Sequence, residues 1–134
     1  MKSKIIIVLA VFITFFSCKN EAKEETKISE NTVQTDIQLI QFHTEHRCVT
    51  CNNIEKLSKE TIKGNEAISF VLYNVDDEKN AKVSEQFEAS GTSLYLYNSK
   101  TKATKDLTEM AFKYAKNEGD KFKTELQKEI SAFK

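Results

Sequence analysis

Two cysteines three residues apart, Cys48 and Cys51, are the strongest chemical signal in the chain. The thiolate of such a pair attacks a disulfide, and the second thiol resolves the mixed disulfide that forms. Two histidines stand just before them, so that His43-x-x-His46-x-Cys48-x-x-Cys51 collects four soft or borderline ligands within nine residues. That set also suits copper or zinc. A third use needs no reactivity, since a cysteine pair in an exported protein can be a structural disulfide. A bridge over two intervening residues closes a very short loop, however, and removes little chain entropy. Thiol exchange is therefore the leading expectation. A non-catalytic soft-metal or arsenical binder through His43, His46, Cys48 and Cys51 is the first alternative, and an interaction module with a structural disulfide the second.

Other chemistries find little support. Lys plus Arg and Asp plus Glu each number 20, so the formal net charge is zero and no basic balance points to nucleic acid. Gly64, Gly91 and Gly119 lie too far apart for a phosphate-cradling loop. There is no flavin- or nicotinamide-binding motif, no Ser/His/Asp arrangement and no paired carboxylates suited to hydrolysis. No cofactor is expected.

The elements that must position the cysteines follow from periodicity. Residues 36–43 (DIQLIQFH) mix β-branched and aromatic residues over a strand-like length. Residues 48–62 place Ile54, Leu57, Thr61 and Ile62 near helical spacing, and Gly64-Asn65 reads as a stop. Residues 67–75 (AISFVLYNV) are apolar on both faces, as for a strand covered on both sides. Residues 77–90 predict a helix with Ala81, Val83 and Phe87 inward. Residues 93–97 (SLYLY) predict a third strand, and 103–107 a short edge strand after a turn at 98–101. Phe122, Leu126, Ile130 and Phe133 mark one face of a terminal helix. The order strand, helix, strand, helix, strand, strand, helix predicts an α/β fold, a mixed four-stranded sheet with helices on both faces.

The cysteine pair thus falls between the first strand and the first helix, where Cys-x-x-Cys reads as a redox motif. Unpaired N–H groups at the helix start favour thiolate. Cys48 is expected to be the exposed attacking thiol, with Arg47 and His46 lowering its pKa further, and Cys51 the more buried resolving thiol.

Residues 36–134 resemble a thioredoxin-like domain. The stretch Phe42-His43-…-Arg47-Cys48-Val49-Thr50-Cys51-Asn52-Asn53-Ile54-Glu55 is similar to a small family of Bacteroidetes-type bacteria labelled ArsF-like, nitrophenyl-compound nitroreductase subunit. The resemblance implies a thiol–disulfide oxidoreductase acting on a protein thiol or disulfide partner. It also implies departures. The chain has no proline, so Thr92 or Ser93 stands where thioredoxins carry a cis-proline opposite the cysteines on the substrate-side loop. Phe42 stands where they carry a buried acid.

The amino-terminal segment gives the address. Lys2 and Lys4 precede an apolar run from Ile5 to Phe16 broken only by Thr14, followed by Ser17-Cys18. The run is too short to span a bilayer and suits the apolar region of a signal peptide. It resembles a bacterial lipoprotein signal, which implies that residues 1–18 form the signal and that Cys18 carries lipid. Residues 19–35 are charged and lack aromatics, as in a flexible tether of roughly 20–25 Å span. The expected product is an extracytoplasmic, membrane-anchored lipoprotein of the periplasm or outer membrane.

Overall fold

The computed structural model describes residues 35–133. The expected signal peptide, the lipidation of Cys18 and all but the last residue of the expected tether lie outside the described residues. Among the described residues no helix is long and apolar enough to cross a membrane.

The chain folds as β1 (Ile37–His43), α1 (Val49–Ile62), β2 (Ile68–Asn74), a short 3-10 turn (Glu78–Asn80) leading into α2 (Ala81–Gln86), β3 (Ser93–Asn98), β4 (Thr104–Asp106), α3 (Thr108–Ala115) and α4 (Gly119–Ala132). The sheet order is β2-β1-β3-β4. The first pair is parallel, with Leu39 opposite Phe70. The others are antiparallel, with Leu39 opposite Leu96 and Tyr95 opposite Asp106. The fold is thioredoxin-like.

Period-two alternation sorts the strand residues between two cores. Leu39, Leu94 and Leu96 face Ile54 of α1, Ala111 and Tyr114 of α3, and Phe122 and Leu126 of α4. On the other face Ile40 and Phe42 meet Phe87 and Ala89 at the end of α2, with Tyr73, Tyr95 and Tyr97 packed around them. Phe42 lies within 5.4–5.9 Å, centroid to centroid, of Phe87, Tyr73 and Tyr95, inside the range where tilted aromatic pairs attract. Phe42 is therefore a packing residue at the position that holds an acid in thioredoxins.

Four local expectations change. The helix expected at 77–90 is only a 3-10 turn and a short α2; Val83 and Phe87 do turn inward, but Ala81 is exposed. β2, expected to be covered on both faces, lies at the sheet edge: Ile68 and Phe70 join one core and Val71 and Tyr73 the other, but Leu72 is exposed. β4 spans three residues, all exposed. Finally, α3 was not foreseen. Leu107, Ala111, Tyr114 and Ala115 nonetheless repeat at helical spacing, all are buried, and Asp106 accepts the Thr108 N–H at 2.8 Å near the helix start. The stop after α1 stands as expected, because Gly64 takes a φ of 81°, where a side chain is strained.

Candidate redox site

The site is built at the carboxyl end of β1 and the amino end of α1. The loop between them is pinned to the strand beside it. Val75 N–H donates to His43 O at 2.8 Å, and Glu45 N–H donates to the Asp76 carboxylate at 2.7 Å. Three bonds then fix α1. Gln41, fully buried on β1, donates from Nε2 to Cys51 O at 3.0 Å. Asn53 Nδ2 donates to Ala115 O at 3.1 Å, tying α1 to α3. Arg47 pairs with Glu55 at 2.6 Å, spanning the first two turns.

Cys48 is the N-cap residue of α1. Its Sγ takes the place an Asp or Ser oxygen usually fills, accepting the Cys51 N–H at 3.3 Å. The two Sγ atoms are 2.6 Å apart. Cys48 is exposed and Cys51 is only 5% exposed. A hydrogen bond from the Cys51 thiol, then the Cys51 N–H, hold the Cys48 thiol below its ordinary pKa. The larger cause is the neighbouring thiol and the next is a free N–H of the helix start; donors aimed at a sulfur stabilise its anion.

The remaining residues divide. Thr92, just before β3 on the strand beside β1, comes to the site with its Oγ1 3.1 Å from Cys51 Sγ. Its neighbour Ser93 is buried and turned away from the thiols, and the described backbone contains no cis peptide. Arg47 and His46 do not act on Cys48 as expected. The guanidinium is engaged by Glu55, and His46 is exposed. The four-ligand metal set is not assembled either. His43 Nδ1 lies 2.8 Å from Thr44 O, and among the described residues no three His, Cys, Asp or Glu side chains converge. His43 ends β1, and its ring is held by the next backbone carbonyl instead of by the cysteines. Gln41 was the functional residue missed. A polar residue in an otherwise apolar strand core was the signal for it.

No protein-family model matches the chain, and no curated protein matches it. A solved structure described as "Structure of a malarial protein" is similar at a TM-score of 0.42 and 19% identity, over 58% of this chain and 93% of that chain. A likeness of that degree carries no argument about function.

Proposed function

We propose that the chain is a thiol–disulfide exchange protein in which Cys48 attacks and Cys51 resolves. One observation carries the reading: an exposed Cys48 sulfur caps α1, with the buried Cys51 sulfur 2.6 Å behind it. The Cys48 thiolate attacks one sulfur of a partner disulfide. That S–S bond breaks, a Cys48–partner bond forms, and the released partner thiolate takes up a proton. Cys51 then gives up its proton and attacks Cys48 Sγ, and the second partner thiolate leaves. Two electrons and two protons pass to the partner, and a Cys48–Cys51 disulfide remains; run backwards, the same steps oxidise a partner dithiol. Val49, 74% exposed beside the attacking sulfur, supplies an apolar contact for a protein partner.

The resemblance to the ArsF-like family and the amino-terminal pattern extend the proposal to a lipoprotein anchored through Cys18, working outside the cytoplasm. There a dithiol pair meets oxidising partners. The mass of the mature amino terminus tests this, and an unlipidated Cys18 refutes it.

The exchange reading is tested by trapping. Cys51→Ser is expected to accumulate a covalent partner complex through Cys48, and Cys48→Ser none. Alkylation of reduced protein is expected to label Cys48 first, with a pH midpoint below that of an ordinary thiol. Faster labelling of Cys51, or equal slow labelling of both, defeats the assignment.

A further inference from the structure

Gln41 stands in the middle of β1 with no solvent exposure, preceded by Leu39 and Ile40 and followed by Phe42, all of them buried. Its register partners are Leu94 on β3 and Leu72 on β2. An amide in such a wall is costly unless both of its ends are bonded. Here one end is. Nε2 donates to Cys51 O at 3.0 Å, while Oε1 is buried without a partner. The amide cannot be turned round, because its oxygen would then face a second acceptor. Nor does the helix need the bond. Cys51 O lies inside α1, where the N–H four residues on is its regular partner. For stability alone, an apolar side chain of the same size serves this position as well or better.

What the bond does is hold Cys51, and the two cysteines are held differently. Cys51 is tied by its carbonyl to an inner strand of the sheet and by its Sγ to Thr92 Oγ1 at 3.1 Å. The ties of Cys48 lie within the first turn of α1: its O accepts the Asn52 N–H at 3.1 Å, and its Sγ accepts the Cys51 N–H at 3.3 Å. Exchange weakens the second of these. Once Cys48 Sγ is bonded to a partner sulfur it carries no negative charge, and it is a poorer acceptor for that N–H. The bond from β1 to Cys51 O is untouched by this change. We propose that Gln41 is a positioning residue for the second step of exchange: its amide holds Cys51 on β1 while Cys48 is joined to the partner, so that Cys51 Sγ stays aligned with Cys48 Sγ and the partner is released quickly. The proposal rests on the exchange reading and adds to it what sets the lifetime of the mixed disulfide. Attack by Cys48 does not depend on the amide, because the Cys48 cap is still in place at that stage.

The test uses the reduced full-length protein and dithiobis(nitrobenzoate), an aromatic disulfide. The Cys48 thiolate breaks its S–S bond, keeps one half as a mixed disulfide and releases the other as a coloured thiolate. Cys51 gives its proton to water and attacks Cys48 Sγ, and the second coloured thiolate leaves. Two electrons have then passed to the reagent, and a Cys48–Cys51 disulfide remains. The first release is second-order and reports attack, and the second is first-order and reports closure. Gln41→Met and Gln41→Leu remove the donor together with the unpartnered oxygen. Both are expected to give the first release at the wild-type rate and pH midpoint. The second is expected to slow about tenfold, since a misplacement of about 1 Å can cost about a hundredfold. Their urea midpoints are expected to equal or exceed that of wild type. Ile130→Ala, at the margin of the core, is expected to lower the urea midpoint and leave both releases unchanged. A second release at the wild-type rate in either variant overturns the proposal. So does a first release slowed as much as the second, or a urea midpoint below wild type in both variants, because the amide is then a structural part. The wild type judges the exchange reading separately. If its second release is second-order and leaves two nitrothiobenzoates on the protein by mass, Cys51 does not resolve, and the exchange reading and this proposal fall together.

Discussion

Thr92 brings a hydroxyl from the start of β3 to a reacting sulfur, and its chemistry separates it from a proline at that place. Its hydroxyl lies 3.1 Å from Cys51 Sγ and can donate when that sulfur carries negative charge. A hydrogen bond to a charged group is worth about 1.5–3 kcal/mol. A sulfur midway through exchange carries roughly half its charge, so about half of that value acts on the rate. Thr92→Val should therefore lengthen the life of the Cys48–partner disulfide about three- to tenfold, and Thr92→Ser should restore it. An unchanged lifetime in Thr92→Val means that the hydroxyl only packs there. At this scale the sequence was legible where chemistry is carried by residue type and spacing. The cysteine pair and the exposure of Cys48 were readable, and the thioredoxin resemblance narrowed the residue facing the pair to Thr92 or Ser93. It was not legible where a side chain has a choice of partners. Arg47 is adjacent to Cys48 in sequence, yet from just outside the helix it turns to the Glu55 carboxylate on α1, 2.6 Å away.

That ion pair makes α1 the element with a pH-dependent anchor. Burial pushes the Glu55 carboxyl pKa up. The hydrogen bond from Lys59, then that from Arg47 and the charges of both, push it down further, so it ends below its ordinary value. The folded protein thus releases this proton at lower pH than the unfolded chain does. The stabilisation is fully present above the ordinary glutamate range and is lost as pH falls through the lowered folded value. Glu55→Gln should cost about 1 kcal/mol at pH 7, the upper end for a partly exposed pair, because Arg47 Nε and Nη2 are buried without other partners. The difference in melting temperature between wild type and variant should close as pH is lowered from 6 to 3. A constant difference across that range would falsify the linkage. Elements were legible where one periodicity runs unbroken, as in α1 and β3. α3 was hidden because it follows β4 directly: residues 103–107 look like a strand end, and Leu107, the first buried residue of the helical stripe, was absorbed into that strand. The edge position of β2 was not legible for a different reason. Its apolar run reports burial, but strand order is set by the crossover through α1, which leaves β2 at the edge with one neighbour.

For the folded domain as a whole, the helices on the α1 face join the site to the stability of the fold. Asn53 of α1 bonds to Ala115 of α3, and Ile54 of α1 shares one core with Phe122 and Leu126 of α4, so the helix that carries the cysteines rests on the last helix of the chain. The stripe Phe122, Leu126, Ile130, Phe133 was legible from spacing alone, but its members are not equal. Phe122 and Leu126 are fully buried, whereas Ile130 and Phe133 pack at the margin. Removing a fully buried phenylalanine loses both its transfer free energy and the packing around the cavity it leaves, typically about 3–5 kcal/mol. A domain of this size has roughly 5–15 kcal/mol in total. Phe122→Ala should therefore lower the denaturation midpoint sharply, while Phe133→Ala should cost less than half as much, with both read by urea unfolding of the reduced protein. Because the loss falls on the fold and not on the sulfurs, the surviving folded fraction of Phe122→Ala should still alkylate Cys48 with the wild-type pH midpoint. A shifted midpoint would mean that the first turn of α1 depends on this core for its geometry as well as for its stability.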